Sequence, residues 1–207
     1  MAAEDIDRLC CIFYRVQIEE LHCVDDQKFP WLAPIRGLSL SPAVDSIRCS
    51  LKALQGEQER LQCTATLYAW LVPRGAYTQW ALYRYSKDRT VRDASEIGEH
   101  LVETFRSSGS SAAHGAVDQK STYSLTILMR QFPSTYEPVC FHIWRELPFV
   151  AIHTPGMSDA LATRWLPLAS ALGDLNERYH GIYIDLRLAY SMANFLLRFP
   201  SPRKSSL

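Results

Sequence analysis

Two histidines occupy neighbouring segments that the sequence predicts to be short strands. His142 lies in residues 139–144 and His153 in residues 149–153, with a turn between the two segments. A histidine pair on adjacent strands can bind a metal ion or change its charge near neutral pH. Chance pairing is the more frequent origin of such an arrangement, so we treat the pair as a secondary candidate site.

No other group of reactive side chains follows a known catalytic or ligand-binding pattern. The chain has no glycine-rich phosphate loop, no Gly-x-Ser-x-Gly elbow and no His-Glu-x-x-His helix. The sequence therefore predicts no catalytic residue, no metal ligand and no cofactor. The six cysteines form no Cys-x-x-Cys pair, and several stand where the pattern favours an apolar residue, which indicates reduced thiols without zinc or a disulfide: Cys10, Cys11, Cys23, Cys49, Cys63 and Cys140.

The charge balance limits the class of partner. The chain has 22 basic and 22 acidic residues, so its formal net charge at pH 7 is zero. Binding to nucleic acid or to an anionic membrane usually needs an excess of positive charge, so neither is favoured. The N-terminal segment is acidic, unlike a targeting peptide, and no apolar run approaches the ~18 residues that span a bilayer. We expect a protein of the cytoplasm or nucleus without a membrane segment.

The N-terminal part of the chain is predicted to be helical. Apolar residues recur at three- and four-residue steps and predict a first helix over about residues 5–24. Ser41 and Pro42 suit the N-cap and the first turn of a second helix, and Gly56 suits its C-terminal end.

Residues 61–85 are predicted to form a long β-hairpin. Apolar and polar or aromatic residues alternate from Leu61 to Leu71, a period of two that is typical of a strand. Residues 73–76 favour a turn, and residues 77–85 are predicted to return as the second strand. This hairpin would have one small-apolar face and one aromatic face, and Trp70, Trp80 and Tyr83 would supply much of its ring area.

The second half of the chain predicts further strands and helices. In chain order we expect a third helix near 93–105, a flexible insert at about 107–121, strands at 123–132, 139–144 and 149–153, a helical segment from Ser158 to Tyr179, a last helix at 184–199 and a disordered tail at 201–207.

This order of elements predicts one α+β domain over residues 1–200. Its mostly antiparallel sheet would consist of the long 61–85 hairpin and the strands near 122–153. The N-terminal and C-terminal helices would pack on that sheet, because runs of strands rather than strict strand–helix alternation are typical of this class.

Residues 126–138 run from a strand into an aromatic–proline turn that a second proline closes, with the sequence Thr-Ile-Leu-Met-Arg-Gln-Phe-Pro-Ser-Thr-Tyr-Glu-Pro. This segment resembles the strand and turn of ubiquitin-conjugating-like and RWD domains. The chain departs from those domains by a helix and an insert between its second and third strands. No cysteine follows Cys140 to stand for the family's catalytic thiol. The resemblance implies a non-catalytic, binding version of that fold.

The leading hypothesis is a protein–protein interaction module, either a subunit or adaptor of a larger complex or a homodimer. Aromatic and arginine side chains often anchor interfaces, and the last helix is apolar around most of its circumference. The same rings would also fit a single large core. An enzyme with a site assembled from distant residues is the alternative, and a nucleic-acid binder using arginines and stacked rings is the third. The candidate interface residues are Trp70, Trp80, Tyr83, Phe195, Leu196 and Phe199.

Overall fold

The computed structural model describes residues 3–27, 29–84, 94–107, 109, 111–131, 135–158 and 178–198. Within them the helices are α1 Ala3–Phe13, α2 Ile18–His22, α3 Leu40–Ala53, α4 Glu57–Leu71, α5 Ala94–Ser107 and α6 Leu186–Arg198. The strands are β1 Trp80–Arg84, β2 Ser111–Asp118, β3 Thr122–Gln131, β4 Thr135–Trp144, β5 Phe149–His153 and β6 Arg178–Tyr183. They form one antiparallel sheet in the order β2-β3-β4-β5-β1-β6, which confirms the predicted α+β class.

The sheet buries apolar side chains on both faces. One face, here the α4/α6 face, packs against α4 and α6, and it carries Cys140 and Trp144 of β4. The other face packs against α5, where Phe105 meets Phe141 of β4 with ring centroids 5.9 Å apart. Side chains alternate between the two faces along each strand. The sequence of a strand in a sheet covered on both sides is therefore apolar at nearly consecutive positions.

Helix α4 lies unusually close to strand β2. Gly115 of β2 faces the helix, and a Cβ atom at this position would overlap the backbone N of Thr66 and the backbone carbonyl C of Ala65. The helix is also tied to the strand by a hydrogen bond from the Gln62 amide to the His114 carbonyl oxygen. Backbone contact of this kind needs a residue without a side chain.

The predicted hairpin over residues 61–85 is wrong, because residues 61–71 belong to α4. Nine of the last eleven residues of this helix are buried, around most of its circumference: Leu61, Cys63, Thr64, Ala65, Leu67, Tyr68, Ala69, Trp70 and Leu71. When most sides of a helix are buried, its apolar residues fit a period of two as well as a period of 3.6. The alternation therefore does not distinguish a strand from a buried helix here. The acidic Glu57 and Glu59 favour a helix start at this point.

Only part of the predicted return strand is a strand, and its partners lie elsewhere. Helix α4 runs into a short 3-10 turn at Val72–Arg74, which ends at Gly75 with φ of 68°. Strand β1 then pairs with β5 on one side and β6 on the other. Gln79, just before β1, has a φ of 67°, a conformation that non-glycine residues seldom adopt. Its N–H donates to the Ile184 carbonyl oxygen at 3.1 Å, which fixes the chain entering α6 beside β1.

The first helix is shorter than predicted. The predicted helix over residues 5–24 is divided into α1, α2 and a 3-10 turn at Cys23–Gln27. Val16, which is buried, donates its N–H to Phe13 across a tight turn, and Gln17 is extended, so the chain leaves the helix there. The second predicted helix is confirmed as α3, with Val44, Ile47 and Leu51 on its buried side. Its predicted ends are wrong, because the N-cap is Ser39 rather than Ser41 and Gly56 is the N-cap of α4 rather than the end of α3.

The predicted flexible insert at 107–121 is also wrong. Residues Ser111–Asp118 form the edge strand β2, which pairs along its length with β3. A composition rich in glycine, alanine and serine is typical of loops. Here the same small residues let α4 pack closely against β2.

The third predicted helix is confirmed as α5, and the strands near 122–153 are confirmed as β3, β4 and β5. The proline-bracketed bend is not confirmed at Pro138, which lies inside β4 opposite Leu128. Strand β5 pairs only with residues 140–143 of β4, so Pro138 stands where β4 has an open edge and needs no N–H.

The C-terminal region differs from its prediction at one described segment. Strand β6, Arg178–Tyr183, was not predicted, and it contains Tyr179 and Gly181. The rest of the predicted helical segment, residues 159–177, and the tail at 201–207 lie outside the described residues. The last predicted helix is confirmed as α6. No helix in the described ranges has the length and apolarity needed to cross a bilayer.

Helix α1 is fastened to the open edge of β4 by two side chains. Asp5, which is buried, accepts a hydrogen bond from the Tyr136 N–H at 3.0 Å, and Arg8 donates to the Tyr136 carbonyl oxygen at 2.9 Å. The two side chains thus take the place of a neighbouring strand at a point that β5 does not reach.

We expect the substitution Gly115→Ala to destabilise the protein, because the added methyl group forces α4 away from β2. Overpacking of this kind costs about 1–3 kcal/mol, and more where backbone has to move. The measurement is the free energy of unfolding by urea, with Ala116→Ser, an exposed change on the same strand, as the control. Equal stability of Gly115→Ala and the native chain would contradict the close packing of α4 on β2.

Candidate functional site

The two candidate histidines lie on the α4/α6 face of the sheet but are not paired with each other. In the β4–β5 register His142 is opposite Ala151, and His153 is opposite Cys140, so the histidines are diagonal neighbours. His142 Nδ1 lies 3.0 Å from the Ser124 hydroxyl oxygen. The His153 ring packs against the Tyr77 and Trp80 rings, and its Nδ1 lies 3.3 Å from the Gln79 carbonyl oxygen.

Burial decides the protonation state of these groups. It lowers the pKa of His142 and the pKa of His153 to about 4 each, so both rings are neutral at pH 7. Burial also raises the pKa of the neighbouring Cys140 thiol to about 12, and Thr126 donates a hydrogen bond to its sulfur. A thiol with so high a pKa is a poor nucleophile.

These polar groups form a buried seam rather than an accessible site. Ser124 and His142 have the separation of a nucleophile and its base, but they are only 1% and 3% exposed. A substrate has no path to them in this arrangement. In the part of the chain that the structure describes, no three histidine, cysteine or acidic side chains come together as a metal site.

Three clefts lined by described residues are small. Their volumes are about 250, 240 and 270 Å³, below the ~300–1,000 Å³ typical of pockets for small molecules. The first is lined by Arg74, whose guanidinium stacks 3.7 Å from the centroid of the Trp70 ring and donates to the Trp70 carbonyl oxygen. Arg74 is therefore committed to holding the end of α4.

Three of the aromatic residues predicted for an interface belong to the core. Trp70 lies on α4, and Trp80 and Tyr83 lie on β1, the central strand of the β5-β1-β6 half of the sheet. None of the three is more than 1% exposed. Their rings stabilise the domain and present no surface to a partner in this structure.

The exposed apolar side chains are concentrated at α6. Seven large apolar side chains are exposed among the described residues, and five of them fall within 184–197: Ile184, Leu188, Tyr190, Phe195 and Leu197. The exposed fractions of Ile184, Leu188 and Phe195 are 63%, 50% and 54%. Leu196 is half-buried against the core, and Phe199 lies outside the described residues.

Helical spacing arranges α6 into an inner side and an outer side. Ala189 and Ala193, four residues apart, are fully buried against the sheet. Leu188 and Phe195, seven residues apart, form one flank of the outer side, and Ile184 continues this flank before the helix begins. Tyr190 and Leu197, also seven apart, form the other flank.

A polar stripe separates these two apolar flanks. It consists of Arg187, Ser191, Asn194 and Arg198, at steps of three and four residues. Arg187 and Arg198 are exposed, and neither forms an ion pair with another described residue. At the start of α6, Asp185 accepts a hydrogen bond from the Leu188 N–H at 2.8 Å. We define the outer face of α6 as the two apolar flanks together with this stripe.

The sequence predicts the last helix but does not identify most of its exposed residues. Phe195 was predicted and is exposed, whereas Ile184, Leu188, Tyr190 and Leu197 were not singled out as interface residues. The available signal was the pair of small residues Ala189 and Ala193, which marks the side of the helix that lies closest to the sheet.

No protein-family model matches this chain, and no curated protein sequence is significantly similar to it. The resemblance to ubiquitin-conjugating-like and RWD domains therefore finds no support among family models. The hairpin over residues 61–85, which would supply the first two strands of such a domain, is absent.

We expect the free energy of unfolding to fall as the pH is lowered from about 6.5 towards 4. His142 and His153 keep a pKa of about 4 in the folded protein, whereas an unfolded histidine has a pKa of about 6.5. The unfolded state therefore binds more protons in this window, and stability that is complete above pH 6.5 is lost below it. The loss is on the order of 2–3 kcal/mol per histidine by pH 4.

Urea denaturation at pH 7, 6 and 5 measures this dependence. His142→Gln should be less stable at pH 7, because its Ser124 contact is altered, but its stability should depend less steeply on pH. His100→Gln changes an exposed histidine of α5 and is the control. A native free energy of unfolding that stays constant between pH 6.5 and 5 would show that the two rings are not buried as neutral groups.

Proposed function

We propose that this protein is a non-catalytic protein–protein interaction module whose docking surface is the outer face of α6. The observation that supports this most is the exposure of five large apolar side chains on one short segment, whose other side packs against the core. A cluster of exposed apolar side chains on a folded domain commonly marks a binding site for another protein, and each flank of α6 carries such a cluster.

The energetics of this surface suit a partner. Full burial of a large apolar side chain is favourable by about 1.5–3 kcal/mol. Covering a half-exposed one would therefore stabilise a complex by about 1 kcal/mol. Several such side chains on one flank, with arginines beside them, resemble the composition of interface centres. On the other flank, Tyr190 packs on Trp144 of β4 with ring centroids 5.8 Å apart, so the Tyr190 ring is held in place before any partner arrives.

The two other hypotheses have less support. An enzyme needs reactive groups that a substrate can reach. His142, His153 and the Cys140 thiol come closest to such groups among the described residues, and all three are buried. A nucleic-acid binder usually needs an excess of positive charge beside its stacking rings, whereas the chain has no net charge and the predicted rings of Trp70, Trp80 and Tyr83 are in the core.

We expect charged substitutions on the outer face of α6 to leave the fold intact and to remove partner binding. Leu188→Asp and Phe195→Asp place a charge where water already reaches, so the melting temperature should change by no more than about 2–4 °C. Ala193→Asp on the inner side of the same helix is the matched control. It buries an unpaired charge at a cost of several kcal/mol and should unfold the protein. Leu196→Asp, at a half-buried position, should fall between the two.

The measurements are melting curves of the four variants and copurification of proteins with the tagged full-length chain from its native source. A protein that copurifies with the native chain should be lost with Leu188→Asp and with Phe195→Asp. If these two variants unfold as Ala193→Asp does, the outer face is core and the proposal fails. If they stay folded and retain the same copurifying proteins, the docking surface lies elsewhere.

A further inference from the structure

The charges on α6 indicate which kind of protein partner its outer face fits. We propose that the partner is a protein segment with acidic side chains set among apolar ones, whose carboxylates pair with Arg187 and Arg198. This inference rests on the proposed function and specifies the chemistry of the partner for the same surface.

The position of the two arginines supports this pairing. They stand eleven residues apart at the two ends of the polar stripe, which corresponds to about 16 Å along the helix axis. Apolar flanks line the stripe on both sides. A segment lying along the helix would therefore meet apolar surface throughout and a guanidinium near each end, and arginine binds carboxylates through paired hydrogen bonds.

Within α6 itself, no acidic side chain is available to pair with Arg187 or Arg198. Leu186–Arg198 contains no aspartate or glutamate. Asp185, directly before the helix, accepts from the Leu188 N–H and so serves as the helix cap. Arg198 lies at the C-terminal end of α6, where a cation is favoured by the helix dipole, but no carboxylate of the described residues pairs with it.

A second copy of this chain fits the surface less well. If two α6 helices packed antiparallel about a two-fold axis, Arg187 of one would come opposite Arg198 of the other at both ends. Like charges in such positions repel each other and disfavour the dimer. An acidic segment would instead be attracted to the arginines at the same two positions.

A lipid or nucleic-acid surface also fits less well. Two arginines contribute only about 1 kcal/mol each at an anionic membrane, and the chain as a whole is neutral. A phosphate backbone offers nothing for the apolar flanks to cover. Both surfaces are nevertheless outcomes that the experiment distinguishes.

The test is selection from a displayed library of random peptides of about 16 residues, long enough for a helix of ~24 Å. The full-length protein is the bait, in its native form and as the double variant Arg187→Glu/Arg198→Glu. We expect the native protein to enrich net-acidic peptides that also carry apolar residues three or four positions apart. The charge-reversed variant should instead enrich net-basic peptides with the same apolar spacing.

The best acidic peptide then serves as the probe for affinity. The double reversal should weaken its binding by at least about tenfold, whereas Arg187→Lys/Arg198→Lys should keep more of the affinity, because the charge is retained. Raising the salt from about 50 to about 300 mM should also weaken it. Leu188→Asp should abolish it, and melting curves should show that every variant remains folded.

The outcomes separate the two proposals. If peptides are enriched but none depends on Leu188, the proposed function of the outer face fails. If enriched peptides depend on Leu188 but show no acidic preference, or the preference survives charge reversal, only the inference about the partner's charge fails. Concentration-dependent dimerisation that Leu188→Asp abolishes would replace it with a homodimer. Binding to phosphatidylserine vesicles or to a short DNA duplex, lost on charge reversal while no acidic peptide is enriched, would replace it with those surfaces.

Discussion

The contact between the backbones of α4 and β2 at Gly115 is the constraint on which the rest of the structure depends. Because Gly115 has no side chain, α4 lies directly on the sheet over β2, β3 and β4. Helices α1 and α3 also pack against α4, so that residues 61–71 of α4 are buried around most of the helix circumference. The large rings of Trp70 and Phe13 fill the space that this layered arrangement leaves.

The position of α4 also determines what is left for α6. Since α4 covers one half of the α4/α6 face, α6 covers the other half, over β5, β1 and β6. It does so through the short side chains of Ala189 and Ala193, with Leu186, Met192 and Leu196 beside them. A helix held by so narrow a contact keeps its remaining apolar side chains in water. The exposed flanks thus follow from the division of this face of the sheet between α4 and α6. The proposed function depends on these flanks.

The sequence predicted the helices that are buried on one side only and the strands that turn residues delimit. Helices α3 and α5 have one apolar stripe each, and strands β3, β4 and β5 are short runs bounded by turn residues, so period and length identify them. Helix α4 was mistaken for a strand because most of its sides are buried, and periodicity then does not distinguish the two. Strand β2 was mistaken for an insert because the small residues that permit close packing are also those of loops.

The candidate site was predicted only in part for a related reason. Aromatic and arginine residues are enriched in cores and in interfaces alike, so composition could not distinguish Trp80, in the core, from Phe195, on the surface. What distinguishes them is the neighbourhood that the tertiary structure creates. Trp80 lies on a strand with neighbours on both sides, whereas Phe195 projects from the last helix at one end of the sheet.

The central claim is that α6 is exposed on its apolar outer face in the isolated protein, whereas the apolar residues of α4 from Leu61 to Leu71 are buried. Methyl relaxation by a soluble paramagnetic probe, measured by NMR on the full-length chain, tests this contrast directly. We predict strong relaxation of the Ile184, Leu188 and Leu197 methyl groups and little relaxation of those of Leu67 and Leu71. Equal protection of both sets would mean that the chain covers α6 itself, and it would contradict the proposed docking surface.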